Sequence, residues 1–288
     1  MDWFLNVTPD FKDEFDFEVD SNDLRERIQL HLEQKPIREI AQIDKRTGIE
    51  IYENFNQFLW CCSYAMFVVF DEGIQKPSLN GVYKGELDMS NPFVRRAMEL
   101  FGRAISLFET YDKAPFYNLP NPEKYHEFEQ FYIERTSGVY CAAMTFILLH
   151  EFGHQYFGHL DYYPSDTESK QDELTADEFA FDKMATHFET ERSTTYKFGI
   201  IVGLSSLIFV DKTLQGGDRH PDPDQRLVSL IEKMNLNELD NLWGVASLAF
   251  KLWGLHFNKS ILKPSITEHY KQMFYDTLND INGIKGSS

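Results

Sequence analysis

The chain has 288 residues, of which 42% are hydrophobic, with 25 Phe and 14 Tyr, so a sizeable packed core is available and intrinsic disorder is excluded. A formal net charge of -18 excludes general affinity for nucleic acid or for anionic membranes, because both need a basic face. The three cysteines, Cys61, Cys62 and Cys141, lie in apolar runs and read as reduced core residues, and the acidic N-terminus lacks the basic-then-apolar order of a signal peptide. Both features predict a cytoplasmic protein.

In chain order, the alternation Phe15-Asp16-Phe17-Glu18-Val19 predicts a short strand. Ser21 or Asn22 can cap a helix running to about residue 34, which Pro36 then interrupts. Gly48 followed by Ile49-Glu50-Ile51-Tyr52 enters a strand or a helix, which periodicity does not separate, and residues 53–74 are apolar enough for a core helix. Asn80-Gly81 is a hairpin signal and predicts a small β-element at about 76–90. Asn91-Pro92 opens a helix to about residue 110, and three prolines make 114–122 a loop. A long helical region is expected over 123–160, with a break near Ser137-Gly138. Helices at 171–188, 194–210, 224–234, 236–257 and 265–278 complete the chain. The run 200–210 is too short to span a bilayer and reads as a buried helix. The expected fold class is mostly α with a small β-element (α+β). An α-rich region at 1–120 and a helical catalytic region at 121–288 are expected to form one compact unit.

The chemistry is concentrated in His150-Glu151-Phe152-Gly153-His154. Histidines four residues apart project from one helix face and can bind one Zn²⁺ from the same side. Glu151, about 100° round the helix, reaches the edge of that site without ligating, where a general base takes a proton from an activated water. A catalytic zinc needs a third protein ligand and one open position. The segment Gln171-Asp172-Glu173-Leu174-Thr175-Ala176-Asp177 supplies it on a second helix: Glu173 as ligand, with Asp172 as its rival. Asp177, one turn on from Glu173, is placed to accept the other ring N–H of a ligating histidine. Ala176 and Ala180 permit close approach of this helix to the first.

These residues resemble the gluzincin pattern, in which a glutamate on a following helix completes a His/His site. The segment His220-Pro221-Asp222-Pro223-Asp224-Gln225-Arg226 is similar to one found downstream of the active site in several gluzincin groups. Among them, the chain looks most like the Lit phage-exclusion peptidases. A weaker resemblance, through Glu173-x-x-Ala-Asp177-x-Phe179-Ala180, is to the ImmA/IrrE-type regulatory proteases.

The Lit resemblance implies a zincin-like core and one zinc ion. It also implies cleavage of a host translation factor when a phage is sensed, with a phage-derived activator. The ImmA resemblance implies cleavage of a repressor, and an inactive zinc-containing interaction protein is the reading of another class. For the donor that faces the developing oxyanion, His220 is the candidate, with His159, Tyr162 and Tyr163 as rivals. Arg226 is expected to pair with an acidic residue near the site. Extended substrate is expected to lie along the β-element at 76–90.

Overall fold

The computed structural model describes residues 28–32, 36–37, 41–44, 48–109, 119–210, 212–259 and 269–286. The strand expected at 15–19 lies outside them. Among the described residues, three short strands form one sheet: β1 (Ile28–His31), β2 (Ala41–Asp44) and β3 (Gly48–Tyr52), in the order β1-β3-β2. β1 runs parallel to β3, with Ile28 opposite Ile49 and Leu30 opposite Ile51, and β2 runs antiparallel to it. The sheet corrects two expectations. Residues 28–31 belong to a strand and not to a helix running to residue 34, because pairing with the buried β3 satisfies their backbone groups and overrides an ambiguous local pattern.

The second correction concerns the expected hairpin at 76–90. After α1 (Glu53–Phe70), a π-helical turn (Asp71–Gln75) leads into one further helical turn, Lys76–Leu79, with Pro77 in its first positions. Asn80-Gly81 closes that turn. The Asn80 N–H donates to Lys76 O at 3.1 Å, the Val82 N–H to Pro77 O at 2.9 Å, and Gly81 has φ 67°. A helix end and a hairpin turn both call for a residue in the left-handed region, so the same dipeptide serves either. No strand occurs here among the described residues.

The remaining elements are helical: α2 (Pro92–Ser106), α3 (Gln130–Tyr156), α4 (Asp166–Ala185), α5 (Ser193–Ile208), α6 (Pro223–Lys233), α7 (Asn241–His256) and α8 (Tyr270–Gly286). The molecule is mostly α with a small β-element, as expected. Asn91 caps α2 by accepting from the Phe93 and Val94 N–H groups. α4 begins five residues before the expected start, because Ser165 and Glu168 form a capping box. α3 does not break at Ser137-Gly138; the Ser137 hydroxyl is absorbed within the helix, donating to Ile133 O at 3.0 Å.

α3 is the central element. It packs against α1, α4 and α5 and touches β2, and its stretch 141–150 is buried on all sides. Two glycines permit these approaches. A Cβ on Gly199 of α5 would stand 2.4 Å from Ala142 Cβ, and one on Gly153 of α3 would stand 3.2 Å from Ala176 Cα. The buried cluster runs from Ile37 to Ile281, including residues on both sides of residue 120. Among the described residues, no helix is long and apolar enough to cross a membrane.

Candidate metal centre

The last turns of α3 carry His150, Glu151 and His154 into a cleft of about 630 Å³. Its opposite walls come from β2 (Ala41, Gln42, Ile43), from α5 (Gly203, Ser206, Leu207) and from the loop before α6 (Gln215, Gly216, His220). α3 ends at Phe157, where Gly158, at φ 72°, takes the left-handed conformation that stops the helix. Close contact of Gly153 with Ala176 brings α4 alongside, so Glu173 reaches the two histidines.

The three candidate ligands converge. His150 Nε2 and His154 Nε2 are 3.3 Å apart; His150 Nε2 is 3.5 Å from Glu173 Oε2, and His154 Nε2 is 3.5 Å from Glu173 Oε1. A tetrahedral ion with bonds of about 2.0–2.1 Å separates its ligand atoms by roughly 3.3–3.4 Å, which the two histidine nitrogens match, and one ligand atom from each of the three residues lies within 4.8 Å of the others. Two neutral nitrogens and one carboxylate are also the donor types that suit zinc among divalent metals. His150, His154 and Glu173 are thus positioned to hold a metal ion.

Behind the triangle is a buried charged network. His150 Nδ1 stands 2.9 Å from Asp177 Oδ1. Arg226 donates through Nε and Nη2 to the two Asp177 oxygens, both at 2.7 Å, and its Nη1 lies 3.1 Å from Glu173 Oε2. Two carboxylates against one guanidinium leave a net negative charge in the interior, which favours a cation beside them. The titration behaviour reflects this. Burial opposes a charged His150, yet Asp177 and Glu173 hold its ring up to about 10. Burial also opposes ionised Glu173 and Asp177, but His150 and Arg226 hold both well below the usual carboxylate range. For Glu151 burial outweighs the opposing pull of His150, and with Glu173 nearby it is raised to about 7, although Arg226 and the Ile43 backbone N–H also favour its charged form. Burial, together with the neighbouring His150, lowers His154 to about 3, so that ring is neutral.

The other expected residues are distributed as follows. His220 is largely exposed at the cleft rim, with Nδ1 3.4 Å from Glu173 Oε1. Arg226 is buried against Asp177 and Glu173. Asp172, the rival third ligand, is turned away from the triangle and accepts the Tyr162 hydroxyl at 2.6 Å. Tyr163 is fully exposed. His159 faces the far side of the His154 ring, Nδ1 to Nδ1 at 3.0 Å, and not the open face of the triangle. Sequence reasoning missed β2 as a cleft wall and the pairing of His159 with His154. Four residues form β2, and a histidine five positions from a ligand fits no helical face, so neither carried a local signal.

Searches of curated proteins and of solved structures return no match. The model of the peptidase U49 family matches residues 49–246, a span that includes α1, the whole of α3 and α4, and the His220–Arg226 segment. With more than half of its length so matched, the chain belongs to the peptidase U49 family.

Proposed function

We propose that the protein is a zinc-dependent endopeptidase. The observation that carries the reading is the convergence of His150, His154 and Glu173, with one ligand atom from each within 4.8 Å of the others, beside a half-buried Glu151 that is raised to about 7. When bound, zinc supplies Lewis-acid polarisation of the peptide carbonyl and a water of lowered pKa. Glu151 is the general base: burial tunes it close to neutrality, so it accepts the water's proton and returns it to the leaving nitrogen. With the ion bound, Asp177, 2.9 Å from Nδ1, would keep the remaining His150 proton on that nitrogen and leave Nε2 to ligate. Arg226 holds Asp177 and Glu173 in place, and His220, at the rim, donates to the developing oxyanion.

The substrate is an extended peptide laid along β2. Because the Ile43 N–H points to Glu151, it faces the cleft and not β3, and strand alternation turns the Ala41 N–H the same way. Phe146, Ile147 and Leu207 give the cleft an apolar floor suited to apolar side chains near the scissile bond. Resemblance of the His150–His154, Glu173–Asp177 and His220–Arg226 segments to the Lit peptidases supports a host translation factor as substrate. It also supports a phage-derived activator and a cytoplasmic role in phage exclusion.

The test is mapping of new N-termini in a cell lysate treated with wild-type protein, with and without a zinc chelator, against Glu151→Gln. One dominant cleavage is expected, abolished by chelation and reduced by at least about 100-fold in Glu151→Gln, which still binds zinc. Equal cleavage by Glu151→Gln would falsify the mechanism. Cleavage of a protein other than a translation factor would leave the chemistry and remove the proposed target.

A further inference from the structure

The second ring nitrogen of His150 faces a carboxylate, but that of His154 faces another imidazole, and the chain of contacts continues beyond it. His154 Nδ1 and His159 Nδ1 are 3.0 Å apart. The far nitrogen of His159, Nε2, lies 3.4 Å from Asp172 Oδ1, and the other oxygen of Asp172 accepts the Tyr162 hydroxyl. The His159 side chain is only 9% exposed and stacks on Phe157 at 23° between ring planes, so its ring is held in orientation.

We infer that His159 is a positioning residue that sets the tautomer of the ligand His154 under the control of Asp172. Starting from the Asp172 carboxylate, the proton count favours one arrangement. A carboxylate accepts and cannot donate, so Asp172 favours the His159 tautomer with its proton on Nε2. His159 Nδ1 is then a lone pair, which requires a proton on His154 Nδ1. That leaves the lone pair of His154 on Nε2, the atom that faces His150 and Glu173. The opposite arrangement, with His159 donating to His154, sets an imidazole lone pair against the Asp172 carboxylate and is disfavoured. The preference of Asp172 therefore passes through two rings, and the metal-facing nitrogen is ready to ligate before any ion arrives. Phe157 and the left-handed Gly158 between His154 and His159 set the loop path that makes this possible.

This inference rests on the metallopeptidase reading, and its test uses readouts other than proteolysis. In metal-free protein labelled with ¹⁵N-histidine, the two-bond proton–nitrogen pattern is expected to show His154 protonated on Nδ1. Chelator competition is expected to give a zinc Kd about 10–100-fold weaker for His159→Phe, which keeps the packing on Phe157 but accepts no hydrogen bond. His159→Asn, whose side-chain oxygen can accept near the position of Nδ1, is expected to recover most of that loss. Should His159→Phe fail to fold, Asp172→Leu replaces it, with the same weakening expected. A His154 protonated on Nε2 in the wild type, or undiminished zinc affinity in a folded His159→Phe protein, overturns the relay. A wild type that binds no zinc overturns the metal reading instead, and the tautomer of the metal-free protein still decides the relay.

Discussion

Arg226 is the residue on which most of the buried charge depends. It bonds both oxygens of Asp177 and also reaches Glu173, with its guanidinium almost wholly enclosed. Removing one partner of a buried pair strands the other, which costs more than removing both. Arg226→Met is therefore expected to destabilise the metal-free protein by about 3 kcal/mol, and Asp177→Leu combined with Arg226→Met by clearly less. Urea denaturation at neutral pH checks this, and equal losses for single and double variants would remove the argument. The residue types at this site were legible in the sequence, since His150, Glu151, His154, Glu173 and Asp177 share helix faces at i, i+4 spacing or sit beside them. The partnership of Arg226 with Asp177, 49 residues apart, was expected only in kind, because the acid it would meet depends on how α6 docks on α4.

Among the elements, β2 forms one wall of the cleft beside the centre. Its inward backbone groups pair with β3, and its outward ones face the cleft, where Ile43 already bonds Glu151. Proline at position 41 removes an outward N–H and leaves the ladder with β3 intact, because proline is tolerated at the first residue of an edge strand. Ala41→Pro is expected to lower kcat/KM by at least about tenfold while shifting the unfolding midpoint little, since one main-chain hydrogen bond to substrate contributes about 1 kcal/mol or more. Steady-state kinetics on a peptide spanning the mapped cleavage site checks it; unchanged kcat/KM removes β2 from substrate binding. The sequence pointed instead to Asn80-Gly81. A local turn signal reports backbone conformation alone, and which strand lies above α3 is a long-range outcome.

At the scale of the whole molecule, the C-terminal helices are joined to the rest by a few polar links within an apolar core. One is Lys251 of α7, whose amine lies 3.0 Å from the Tyr83 hydroxyl. Burial lowers this amine from its usual 10.5 to about 8. The folded state then binds fewer protons than the unfolded state between about pH 8 and 10.5, so this group makes stability rise with pH across that window. Below pH 8 both states are protonated and the cost of burying the charge is present in full, up to about 3 kcal/mol. Lys251→Met is expected to raise Tm at pH 7, by less than that cost implies because Tyr83 loses a partner, and the gain should shrink between pH 8 and 10.5. A gain independent of pH would show that packing, not charge, is responsible. A second link, Lys285 of α8, reaches Asp222 and the buried Asp224 and so ties the end of the chain to the loop that carries His220.

By itself the sequence determined the α-rich class, most of the helices and the three residues, His150, His154 and Glu173, that the fold brings together as candidate ligands. Those features are written in periodicities and spacings of at most a few residues, and helix geometry converts them directly into shared faces. Only the tertiary structure decided that β2 walls the cleft, that His159 and Asp172 stand behind His154, and that Arg226 joins Asp177 to Glu173. Each of these joins segments whose local signals are silent or misleading, and they come together because α3 is buried among α1, α4, α5 and the sheet.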